Sequence, residues 1–148
     1  RGLRIASPMA CSGVVADGDC IVSYNNLKLK HDKRYIIYAF TPDNKRIVIE
    51  SEGTKDKTYD DFKRALLASH EPRYAVVDFE FEHDESGAKQ EKVLFIFWSP
   101  DTAPVKRKML FASSKDAIRK PLDGVYQEIQ CNDEGDLLFE EIKRKVQK

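Results

Sequence analysis

Six consecutive apolar residues, Val93-Leu94-Phe95-Ile96-Phe97-Trp98, restrict the folds open to this chain more than any other stretch. The run falls far short of the ~18 residues that cross a bilayer, and it has the length of a strand. An unbroken apolar strand gives no face to water, so it belongs in the centre of a covered sheet. Just before it, "RYAVVDFEFEH" (73–83) alternates in its second half. Val77, Phe79 and Phe81 fall on one side, and Asp78, Glu80 and Glu82 on the other. The polar stretch "HDESGAKQEK" (83–92) reads as the loop between these two strands.

Strand and helix patterns alternate along the rest of the chain. "KRYIIYAFT" (33–41) is rich in β-branched and aromatic residues, and Pro42-Asp43-Asn44 turns it into "KRIVIES", which predicts a hairpin. Asp17 or Asp19 caps a helix running to about Leu29, with Ile21, Tyr24 and Leu27 at helical spacing. Thr58 and Asp61 form a capping-box variant ahead of the stripe Tyr59, Phe62 and Leu66. A short strand is expected near Val125 to Gln130. A last helix is expected from about Asp136, with Leu138, Phe139, Ile142 and Val146 on one side. The predicted fold class is α/β: one domain with a mixed sheet of about five strands flanked by helices.

Composition narrows the function classes. Twenty-five Lys and Arg balance 25 Asp and Glu, so bulk electrostatic binding to nucleic acid or membrane is disfavoured and any such binding must be local. Cys11, Cys20 and Cys131 lack metal-ligand spacing and read as reduced thiols of a cytosolic protein. "RGLRIASP" (1–8) precedes Met9 and reads as a remnant of an expression vector, which leaves 9–148 as the domain. No enzyme signature emerges. Asp78, Glu80 and Glu82 read as a solvated strand face, His31, His70 and His83 as surface residues, and the glycines form no phosphate-cradling loop.

Charge is uneven locally. "PDTAPVKRKMLFASSKDAIRK" (100–120) carries Lys106, Arg107, Lys108, Lys115, Arg119 and Lys120 against Asp101 and Asp116, and is expected to expose Met109 and Phe111. Pro104 suits the first turn of a helix, and Ser113-Ser114 is a point where that helix could bend. Lys108, Lys115 and Arg119 fall within about 40° of one another, beside an arc of Val105, Met109 and Ala112. Two readings of these residues stand side by side. One is a solvated amphipathic helix with Met109 in the core; the other is a binding helix for an acidic partner.

"WSPDTAPVKRKMLFASSKDAIRK" (98–120), with "RYAVVDFEFE" and the "SGV" at 12–14, resembles the actin-depolymerising factor/cofilin family in the order of its elements from about Ser12 to Lys148. The resemblance implies an ADF-homology fold with a central mixed five-stranded sheet, and no enzymatic activity or cofactor. It implies binding to actin monomers and filaments with preference for the ADP form, and filament severing and depolymerisation in the cytoplasmic actin cytoskeleton. By position, Ser12, Gly13, Val14, Val105, Lys106, Lys108, Met109, Ser114, Arg119 and Lys120 match residues that meet both forms of actin. Ser12 occupies the regulatory phosphorylation position. Lys89, Lys92, Lys145 and Lys148 match a second surface used only on filaments. The basic cluster also matches the family's phosphoinositide-binding region.

The chain departs from the family pattern in places. Gln90 and Glu91 dilute the charge between Lys89 and Lys92, Arg144 replaces an acidic residue, and Gln127 stands where vertebrate members carry a pH-sensing histidine. "KLKHDKR" (28–34) is a poor match to the vertebrate nuclear-import motif. Two alternatives are a non-severing, coactosin-like actin binder and a single-stranded RNA binder that uses sheet aromatics. "KVLFIFW" lacks the glycines of the RNA-binding strand motif.

Overall fold

The structure, a computed structural model, describes residues 13–147. The expectations placed on Ser12, on Lys148 and on the 1–8 remnant lie outside that range. The elements are β1 (Val15–Ala16), α1 (Gly18–Lys30), β2 (Lys33–Phe40), β3 (Arg46–Thr54), α2 (Tyr59–Leu67) and β4 (Arg73–Glu82). They continue with β5 (Lys89–Trp98), α3 (Val105–Arg119), β6 (Gln127–Cys131), a 3-10 turn (Glu134–Leu137) and α4 (Phe139–Val146).

The strands form one mixed sheet in the order β1-β3-β2-β4-β5-β6. The outer pairs β1–β3 and β5–β6 are parallel, and the inner ones antiparallel. The sixth strand, beyond the five expected, is β1. With two residues it is too short to show any alternation in sequence. Gly53 permits the hairpin of β2 with β3, because the Tyr35 ring crosses it where a Cβ would sit 2.1 Å from the ring.

Strand alternation divides the interior into two cores. Ile37, Val77, Phe79, Leu94, Ile96 and Trp98 face one side and pack on Phe62 and Leu66 of α2 and Ile142 and Val146 of α4. Ile36, Tyr38, Tyr74, Val76, Phe95 and Phe97 face the other side. There they meet Tyr24 and Leu27 of α1 and Phe111 and Ile118 of α3. The unbroken apolar run of β5 serves both cores at once, between β4 and β6.

The Thr58 box forms as read: Asp61 N–H donates to Thr58 Oγ1 at 3.1 Å, and Thr58 N–H donates back to Asp61 Oδ2 at 2.9 Å. That backbone bond, with the Arg64 guanidinium, holds the Asp61 carboxyl down at about 2. Several expectations are corrected. Asp136 belongs to the 3-10 turn, capped by Asp133, and α4 starts only at Phe139. Leu138 between them is extended and 52% exposed, so it is no part of the apolar stripe. In α1 the inward stripe is Cys20, Tyr24 and Leu27, with Ile21 half-buried. Pro104 sits just before the first turn of α3 as its N-cap, and α3 runs unbroken through Ser113-Ser114. No helix among the described residues is long and apolar enough to cross a membrane.

Candidate interaction surface

α3 begins where the chain leaves β5. Ser99 N–H donates to Cys131 O and Asp101 N–H to Asn132 O, which fixes the approach against the end of β6. The helix then lies over the core, and its burial follows the 3.6-residue period. Phe111, Ser114 and Ile118 are buried, and Phe111 packs edge-on against Phe40 with ring centroids 4.8 Å apart. On the opposite arc Val105 and Met109 are 65% and 64% exposed. Of the two readings of Met109, the core one is therefore overturned. The expectation that Phe111 is exposed is overturned too, because it sits about 160° around the helix from Met109 once the turns are counted.

The cations flank this apolar ridge unequally. Lys106 and Lys120 lie to one side. Lys106 has no ion pair among the described residues, and Lys120 has only a 4.0 Å approach to Asp116. Lys108, Lys115 and Arg119 lie on the other side, and each is engaged within the protein. Lys108 Nζ donates to Asp101 O at 3.3 Å. Lys115 and Arg119 both pair with Glu128 of β6, and the Arg119 guanidinium also donates to Leu122 O. Arg107 turns back to Asn44 and over the Phe111 ring. The free positive charge of this surface is thus smaller than the sequence count suggests, and it concentrates at the start of α3.

β1 runs beside α3. Gly13 is exposed with φ 77°, a left-handed conformation that favours glycine, and Val14 is buried in the same core as Phe111. Gly13, Val105, Lys106, Lys108, Met109 and Lys120 therefore belong to one side of the molecule. Ser114 does not reach that surface: at 1% exposed, it lies on the inward face of α3.

A second cluster of predicted residues gathers at the far end of the β4–β5 hairpin. Lys89 and Lys92 are on β5, not in a loop, and are paired with Glu82 and Phe79 respectively. Their odd spacing sends them to opposite faces of the hairpin. The Lys92 ammonium stands 4.4 Å over the Tyr126 ring, whose hydroxyl approaches Val146 O at the end of α4. The hairpin tip is stitched to the same helix end: Asp84 pairs with Lys143 at 2.7 Å, and Asp84 N–H donates to Gln147 Oε1. Lys145 of α4 immediately precedes Val146 of the Tyr126 contact, 53 positions beyond Lys92 in the sequence. Arg144 pairs with Glu141, and Glu91 is drawn to Lys55.

Sequence reasoning missed one further cluster. Asp78 is fully buried, not solvated: its carboxylate takes Lys55 Nζ at 2.7 Å and lies 3.1 Å from His31 Nδ1. Glu80 and Glu91 complete the ring around Lys55. Partial burial works against the Lys55 ammonium, but its hydrogen bonds to Asp78 and Glu91 outweigh that, and its pKa is raised. No local spacing could have revealed this set, because its members come from α1, the β3–α2 connection, β4 and β5.

A model of the cofilin/tropomyosin-type actin-binding protein family matches residues 13–147. Among individual proteins, actophorin of Acanthamoeba castellanii is 37% identical over 137 residues, covering 93% of this chain and 97% of its own. Cofilin of Mycosarcoma maydis is 43% identical over 135 residues, covering 91% and 95%. The crystal structure of Streptomyces griseoflavus cofilin superposes with a TM-score of 0.81 at 36% identity, over 90% of this chain and 97% of that one.

Proposed function

This chain belongs to the cofilin/tropomyosin-type actin-binding family, and on that premise we propose that it binds actin monomers and filaments through the α3 surface, prefers ADP-bound subunits, and severs and depolymerises filaments. The observation that carries the reading is the pair Val105 and Met109, which stand out at 65% and 64% exposure on a helix whose opposite face is buried. A methionine adapts to an irregular cleft, and burying it contributes roughly 1.5–3 kcal/mol. Lys106 and Lys108 beside it orient docking on an acidic partner. Exposed Gly13 would widen the same face, while Val14 is buried beneath it. The nucleotide would be actin's own, and no chemistry by this chain is invoked.

The experiment is filament co-sedimentation combined with direct imaging of single filaments. Binding with frequent breaks is expected. Binding without breaks would assign the chain to the non-severing mode, and no binding would remove the proposal. The same cations at the start of α3 would hold phosphoinositide headgroups, so that lipid and actin compete.

Regulation follows from position. Ser12 precedes Gly13 in the sequence, and its phosphorylation would add about −1.5 to −2 charge to a segment that would meet acidic actin. Ser12→Glu, a weaker mimic, should lower monomer binding at least severalfold without changing the circular dichroism spectrum. Equal affinity of the phosphorylated and unmodified proteins for ADP-actin monomers would refute the assignment of Ser12 as the switch.

The hairpin tip and the end of α4 would form the filament-only contact. Lys89→Ala with Lys92→Ala should reduce co-sedimentation and severing while monomer binding stays within about twofold, since exposed charges outside an interface contribute little. The loss should diminish with added salt, because such charges are screened over about 8 Å at physiological ionic strength. Equal losses in both assays would mean one continuous surface in place of two.

A further inference from the structure

The ring of groups around Lys55 has the composition of a metal site. His31 Nδ1, a carboxylate oxygen of Asp78 and one of Glu91 all lie within 4.8 Å of one another. His31 Nδ1 stands 3.1 Å from Asp78 Oδ2 and 3.5 Å from Glu91 Oε1. Ligands of a tetrahedral ion held at about 2.0–2.1 Å lie about 3.4 Å apart, so these separations suit a common ion. One imidazole and two carboxylates are the donors chosen by zinc and its neighbours in the first transition row.

Two independent features point to a cation. Asp78 is fully buried, and its Oδ1 has no hydrogen-bond partner, which leaves a desolvated carboxylate only half satisfied. The focus of the ring also already attracts a positive charge: Lys55 Nζ lies 2.7 Å from Asp78, bonds Glu91, and is 3.3 Å from Glu80. The ammonium hangs from the connection after β3 on a side chain one-third exposed, so it can swing out to water. His31 is anchored from behind: it takes the left-handed C-cap position of α1, with its N–H bonded to Leu27 O. An open groove of about 590 Å³, lined among others by Lys55, Glu80 and Glu91, borders the ring on that side.

We propose that His31, Asp78 and Glu91 form a binding site for a zinc-like divalent ion, and that the Lys55 ammonium is the built-in occupant which the ion displaces. Glu80, paired with Arg34 at 2.9 Å and 3.3 Å from Lys55 Nζ, adds negative charge beside the three ligands. The buried thiols are no part of the site, and burial pushes Cys20 up to about 11 and Cys131 up to about 12. The site is separate from the α3 surface, and its existence does not depend on actin binding.

The test is titration of the full chain, freed of metal by chelator, with Zn²⁺ in a calorimeter and with Co²⁺ followed by visible absorption. One ion per chain is expected, with the intense Co²⁺ bands of a low-coordinate site. Lys55→Gln should bind about tenfold more tightly, because the competing charge is gone. His31→Gln and Glu91→Gln should each weaken binding about tenfold or more. His70→Gln with His83→Gln should leave it unchanged, and thermal melts verify that each variant folds. Three results would overturn the proposal. These are no binding by either the unmodified chain or Lys55→Gln, affinity that survives both His31→Gln and Glu91→Gln, and weaker binding by Lys55→Gln.

Discussion

Replacing Lys106 and Lys108 together with alanine should weaken binding to both monomeric and filamentous actin at least tenfold, or about 1.4 kcal/mol. Neither side chain is buried, so the fold should be untouched. Lys106 makes no ion pair among the described residues, and its charge is fully available to a partner. Lys108 would exchange its 3.3 Å bond to the Asp101 carbonyl for a carboxylate on actin, a charge-assisted bond of roughly twice the strength. Losing the pair would leave the actin carboxylates desolvated and unpaired, which adds to the cost. Monomer affinity is read by fluorescence titration, filament affinity by co-sedimentation, and the fold by circular dichroism. Unchanged monomer affinity with an intact spectrum would exclude the start of α3 from the interface.

Two positions after Met109, the consequence reverses. Phe111→Ala should leave the contact face in place and destabilise the protein by about 3–5 kcal/mol, the usual range for emptying a buried aromatic site. The Phe111 ring is fully buried among Phe40, Tyr74 and the Arg107 guanidinium. Its backbone carbonyl also accepts the Tyr74 hydroxyl, so any relaxation of α3 into the cavity would disturb that buried bond. For a chain of this size the melting temperature should fall by roughly 6–20 °C. Met109→Ala should barely move it. Thermal denaturation of both variants, with actin affinity measured well below the melting range, separates the roles. A stable Phe111→Ala protein with lost affinity would place Phe111 at the interface.

These two neighbours mark how far the sequence can be read. The strands β4 and β5 were visible because alternation and an unbroken apolar run are local signals. The Thr58–Asp61 box was visible because its partners are three residues apart. β1 was not visible, since two residues carry no period, and the start of α4 was obscured by a 3-10 turn with the same apolar residues. On α3 the periodicity placed Val105 and Met109 on one arc, but it could not tell inward from outward before the sheet position was known. Phe111 was misjudged for that reason, and Ser114 proved to lie on the buried face.

Charge was the least legible property. Counting residues 100–120 gave a strongly basic patch, yet Glu128 of β6 binds both Lys115 and Arg119, and no local reading connects it to them. Asp78 likewise read as solvated from its place in an alternating strand. Lys55 and His31, brought in from 23 and 47 residues away, cover it. Alternation identifies the face a residue occupies. It does not say whether water or another side chain lies beyond that face.

The parallel pairing of β5 with β6 gives α3 a mechanical character. Parallel neighbours need a crossover, and α3 is that crossover, so both its ends are tied to the sheet. Backbone bonds from Ser99 and Asp101 hold its start, and the bond from Tyr126 N–H to Val93 O closes the return. An excised 15-residue helix would be marginal in water and would have to order itself during binding. The tethered helix has met that entropy cost when the domain folds, so little of the docking energy is spent on ordering it. Under the proposed function it would act as a stiff wedge, and strain building up between two subunits gripping this domain would fall on the filament.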